Sequence, residues 1–76
     1  MNIDFYVKKM MTDLSEAISN LVEATQFEGK DAAFHLKTAT ICINDAASTL
    51  SCFEEGDMKK KLCSLILNLS ELTENQ

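Results

Sequence analysis

Apolar positions recur along the chain in alternating steps of four and three, the period of an α-helix with one buried face. The series Ile3, Val7, Met10, Leu14, Ala17, Leu21 and Ala24 predicts a first helix over about 3–27, and Met11, Ile18 and Val22 widen its stripe on one side. Ala32, Leu36, Ala39, Ile43, Ala46, Leu50 and Phe53 predict a second over about 32–53. Met58, Leu62, Leu65, Leu69 and Leu72 predict a third over about 58–72. The β-branched run at 38–43 suits a strand by propensity, but the four-three spacing continues through it and no turn residue bounds it. Gly29 and Gly56 are the only glycines, proline is absent, and each glycine is closely followed by an aspartate, Asp31 and Asp57. Glycine suits the left-handed position past a helix end and Asp the N-cap of the next helix, so both pairs are expected to be helix junctions. Asn2 is the expected cap of the first helix. Connections this short place neighbouring helices side by side and antiparallel. The expected fold is all-α, a single domain over 1–76: a three-helix antiparallel bundle built as a long helical hairpin plus a third helix.

Composition narrows the function. At 76 residues with 46% apolar content the chain can hold one small core and no second domain. A net charge of −5 argues against a phosphate-contacting nucleic-acid binder. The longest strongly apolar stretch, Leu62 to Leu69, is broken by Ser64 and Asn68 and is far shorter than the roughly 20 residues a membrane span takes. Three cysteines, Cys42, Cys52 and Cys63, do not suit a closed disulfide framework, and no leader-like apolar run follows Lys8 and Lys9. These features predict a soluble cytoplasmic protein with reduced thiols.

Chemistry-bearing patterns are sparse. His35 and Cys42 are seven residues apart, about 10 Å along a helix axis, too far to share a metal ion. No serine, histidine or glycine pattern suits acid–base, nucleophilic or phosphate-binding work, so neither an enzyme nor a cofactor is expected. Cys52 and Cys63 flank the second junction at similar heights; they would either pair on oxidation or serve as small buried hydrophobes. Lys59, Lys60 and Lys61 stand in the first turn of the third helix, where positive charge opposes the helix dipole, with Glu54, Glu55 and Asp57 to offset them.

The informative feature is apolar surplus. Cys63, Ile66 and Leu67 make the third helix apolar almost all round, Phe34 and Ile41 add a second line to the second helix, and Phe5, Tyr6 and Met11 add to the first. A chain of this size cannot surround so much apolar surface. We therefore expect Phe34, Ile41, Cys63, Ile66, Leu67, Met11 and Tyr6 to form a partner-binding surface. The partner would be another protein, either an amphipathic helix in a hetero-complex or a second copy in a homodimer.

The stretch from Leu14 to Leu69 resembles the central helices of flagellin-type (FliS-like) export chaperones. LSEAISNLVEA is similar to their first helix with its Leu-x-x-Ala-Ile rhythm. GKDAAFHLKTATICINDAASTL is similar to their Lys-Ala-x-x-Ile-Ile helix, which ends in a Thr-Leu or Ser-Leu pair, and GDMKKKLCSLILNL to the helix that follows. The chain is shorter than that family and lacks its extended N-terminal segment and final helix, so flagellin is not carried over as cargo. The resemblance implies an acidic, cytosolic, all-helical holder of an export substrate, a build shared by small type III secretion co-chaperones. The expected function is a non-enzymatic chaperone or adaptor that masks an amphipathic segment of a partner. A small acidic phage-type inhibitor that blocks a host nucleic-acid enzyme is the alternative; carboxylates spread over all three helices count against it.

Overall fold

A computed structural model describes residues 3–75, which form three helices: α1 (Ile3–Ala24), α2 (Gly29–Leu50) and α3 (Asp57–Glu74). The chain is all-α, with α1 and α2 packed closely and α3 laid against them. Contacts between α1 and α2 fix their direction: Glu16 meets Cys42 while Asn20 meets His35, so numbers rise on one helix as they fall on the other. The hairpin is held by small residues. Ala17, Ala39 and Ala46 have no exposed surface, and with Ala24 they let the α1 and α2 backbones approach closely. Met10, Leu14, Ile43, Leu50, Phe53, Ile66 and Leu69 fill the core around them, with Tyr6, Val7, Leu21 and Leu62 packed at its edge.

The junctions differ in detail from the glycine–aspartate expectation. α1 stops at Ala24, three residues early, in a tight turn where Thr25 N–H and Oγ1–H both donate to the Val22 carbonyl (3.1 and 2.6 Å) and Gln26 N–H donates to Glu23 (2.9 Å). This releases Phe27 to stack on His35, with ring centroids 5.5 Å apart. Gly29 then reverses the chain at φ +62°, a left-handed angle that costs glycine nothing. It opens α2 itself, so Asp31 falls in the first helical turn rather than at the cap, which Glu28 occupies. At that position its carboxylate still faces the unpaired N–H groups of the helix start. α2 likewise ends at Leu50, and bonds from Cys52 N–H to Thr49 and from Phe53 N–H to Leu50 (both 3.0 Å) swing Phe53 into the core. Asp57 is the first residue of α3, after an extended Gly56 cap. The expected Asn2 cap lies outside the described residues.

The molecule is elongated, 42 × 20 × 14 Å between Cα extremes. Its radius of gyration is 13.0 Å, against about 11.4 Å for a compact domain of this length. It exposes 5285 Å², where a folded monomer of its mass exposes about 4,650 Å².

Candidate functional site

Part of the exposed apolar surface lies between α1 and α3. Both are packed on α2 but barely touch one another, and they run parallel. Val7, Met10 and Met11 of α1 meet Met58 and Leu62 of α3 around one hollow of about 140 Å³. Ile18, Leu21, Val22 and Thr25 meet Leu69 and Leu72 around a second of about 290 Å³. N-terminal ends therefore share one hollow and C-terminal ends the other. Together they make a groove along the bundle, floored by core-edge residues and walled by exposed ones.

The walls repeat every seven residues, the spacing at which a helix returns to the same side. Met11 and Ile18 line one wall, with Thr25 just past the end of α1; Met58 and Leu72 line the other, and exposed Leu65 falls on their seven-residue line between the two hollows. Met11, Ile18, Val22, Met58, Leu65 and Leu72 are each 42–57% exposed. Past Asp4, one heptad before Met11, the charge pattern keeps the α1 rim clear. Between Met11 and Gln26 the charged residues of α1 are Asp13, Glu16 and Glu23, and this line lies toward α2, where Glu16 Oε2 accepts from Cys42 Sγ at 3.5 Å. The rim itself carries Ser15, Ser19 and Gln26. Lys8 and Lys61 flank the groove only at its Met11–Met58 end.

The seven residues expected to form a partner surface do not share a face. Met11 stands on the groove wall. Tyr6 is half-buried against the core, edge-on to Phe5. Phe34 and Ile41 are exposed, but on α2, which does not line the groove. Cys63 and Leu67 are exposed on α3; at 100° per residue Leu67 stands about 140° round the helix from Leu72. Ile66 corrects the expectation outright: it is 7% exposed and belongs to the core. α3 is rolled so that Leu62, Ile66 and Leu69 face inward, which pushes Met58, Leu65 and Leu72 out of the stripe assigned to the core and onto the groove. Ile18 and Val22 were legible as the widened stripe of α1; the α3 wall carried no separate signal.

Elsewhere the polar groups are structural. His35 Nδ1 lies 2.8 Å from Asn20 Oδ1, and its ring sits between Phe27 and Phe34, clasping the closed end of the hairpin. Among the described residues no group of three or more His, Cys, Asp or Glu side chains is placed to hold a metal ion, and no helix is long and apolar enough to cross a membrane. All three cysteines are free thiols, with Cys42 buried, Cys52 half-buried and Cys63 exposed, so Cys63 is not the small buried hydrophobe that one reading expected. Burial, and then the bond to Glu16 and the charges of Glu16, Asp13 and Asp45, push the Cys42 thiol above its ordinary pKa. Less of it is thiolate, the reactive form, at any neutral pH. Alkylation of the folded chain with iodoacetamide should therefore modify Cys63 first and Cys42 last, with Cys42 protected until denaturant is added. Cys42 labelling as fast as Cys63 in native buffer would contradict its placement in the core.

No family model, curated protein or solved structure matches this chain.

Proposed function

We propose that the chain is a non-enzymatic protein-binding module, a small chaperone or adaptor that holds the apolar face of an amphipathic helix in the groove between α1 and α3. The observation that carries this reading is the pair of exposed heptad walls, Met11–Ile18–Thr25 and Met58–Leu65–Leu72, over an apolar floor. A helix laid there runs antiparallel to both walls and completes an up-down-up-down bundle of four. Helix-in-groove recognition uses anchors at i, i+3, i+4 and i+7, and hollows centred about three turns apart suit a client helix whose apolar stripe runs on past i+7. Methionines at one end give a surface that repacks around different anchors. Lys8 and Lys61 flank the end that receives the client helix's C-terminus, so clients with carboxylates in their last turns are favoured. The resemblance to flagellin-type export chaperones points the same way, and three free thiols suit a reducing compartment such as the cytoplasm.

Site-specific photo-crosslinking in the native cell tests this. A photoreactive residue at Val22, on the groove, should give an adduct with another protein; one at exposed Lys37 on α2 should not. Adding Leu65→Lys should abolish the Val22 adduct. Finding no heterologous adduct at Val22, or the same adducts from both positions, would overturn the client reading.

A further inference from the structure

We propose that in the absence of a client a second copy of this chain covers the α1/α3 face, running antiparallel in a twofold dimer. The proposal rests on the groove being a docking surface and names its resident occupant. Three observations carry it.

The first is charge order. α1 holds Asp4, Lys8 and Lys9 in its N-terminal third, net +1, and Asp13, Glu16 and Glu23 beyond, net −3. α3 holds Asp57, Lys59, Lys60 and Lys61 at its start, net +2, and Glu71 and Glu74 at its end, net −2. None of the helices has a basic residue in its last turn. The two groove helices are thus positive at the N-terminus and negative at the C-terminus, the order that their own dipoles disfavour. Lys9 and Lys59 have internal partners, Asp13 at 3.1 Å and Glu55 at 2.9 Å. Lys8, Lys60, Lys61, Glu71 and Glu74 make no ion pair among the described residues. When two copies meet face to face about a dyad perpendicular to the helices, α1 lies over α1 and α3 over α3, each reversed. On α3 each basic start then lies over the acidic end of the other copy, while the α1 carboxylates Asp13, Glu16 and Glu23 lie toward α2 and stay out of the contact. A parallel dimer would stack basic ends together.

The second is shape. The two hollows set Met58 level with the first part of α1 and Leu72 level with Val22, so Leu65 stands near the height of Ser15, midway along the face. A dyad there brings the Met11–Met58 end of each copy over the larger hollow of the other. The flexible methionine side chains are the ones suited to fill it.

The third is the rim. Two chains of net charge −5 repel at a distance. Past Asp4, which stands one heptad before Met11, the α1 rim that must approach carries Ser15, Ser19 and Gln26 rather than carboxylates, and the surface left uncovered by the monomer exceeds what its mass accounts for.

Sedimentation equilibrium in reducing buffer, from low to several hundred micromolar, should show a concentration-dependent dimer. Leu65→Lys should remove it while leaving the helical circular dichroism unchanged. Orientation is read from spin labels on a Cys52→Ser, Cys63→Ser background. Labels at Ser15 should separate by less than about 10 Å along the helix axis, and labels at Gln26 by about 24–33 Å, given 1.5 Å per residue from the dyad. These labels sit on exposed positions, so the distances decide the matter even where Leu65→Lys impairs folding. A monomer at every concentration would overturn the proposal. So would short distances at both sites, which mean a parallel pair, or a dimer lost with Phe34→Lys and kept with Leu65→Lys. The client reading fails separately: a groove dimer without heterologous Val22 adducts sinks the client and keeps the dimer, and a monomer with such adducts does the reverse.

Discussion

Ile43→Ala should remove about half of the stability of this chain, whereas Leu72→Ala, which deletes an apolar side chain of the same size, should leave it nearly intact. Ile43 is 2% exposed and sits in the cluster where α1, α2 and α3 meet. Truncating such a side chain costs about 2–5 kcal/mol, from lost transfer energy and the cavity left behind. A domain of this length has only about 4–11 kcal/mol in total. Leu72 is 52% exposed on the groove wall, so in dilute monomer its truncation should cost less than about 1 kcal/mol. Urea denaturation at low protein concentration measures both midpoints. Equal losses would mean that α3 is rolled differently, with Leu72 inside.

That contrast also marks how far the sequence could be read. The helices and their order were legible because the four-three spacing of Leu14, Ala17 and Leu21, or of Ala39, Ile43 and Ala46, has only one periodic interpretation. Two glycines without any proline left little doubt about where the chain turns. The junctions slipped by up to three residues because tertiary contacts set them: Phe27 is drawn to His35, and Phe53 is drawn into the core. The docking face was read only in part. Surplus apolar surface was visible as a quantity, but its location depends on how each helix is rolled. On α3 both Leu65 and Ile66 are apolar, and nothing local says which one faces in. The structure buries Ile66, and the wall Met58–Leu65–Leu72 follows from that one choice. Phe34, Ile41, Cys63 and Leu67 remained candidates because each is apolar and off its stripe, which is a statement about one helix and not about its neighbours.

The charge order of α3 offers a sharper experiment than deletion of the apolar wall. Changing Lys60 and Lys61 to Glu makes α3 acidic along its length. In the monomer the new carboxylates near the helix start agree with the dipole, and stability should hold or rise by about 0.5–2 kcal/mol. In the antiparallel dimer the same change places acid over the acidic end of the partner copy's α3, where Glu71 borders the face and Glu74 stands behind it, twice by symmetry. Surface pairs contribute about 0.2–1 kcal/mol each, so with one pair at each of the two overlapping ends association should weaken roughly 2- to 30-fold, most clearly at low salt where screening is least. Adding Glu71→Lys and Glu74→Lys returns the net charge to its native −5 and restores opposite charges at the overlapping ends. The fourfold variant should dimerise again while keeping the more stable monomer. A parallel pair responds with the opposite sign: the double change relieves repulsion between basic ends and tightens the dimer. Stability and association moving in opposite directions in the double variant, and together in the fourfold one, is the signature of helices whose charges are ordered for a reversed copy at the cost of their own dipoles.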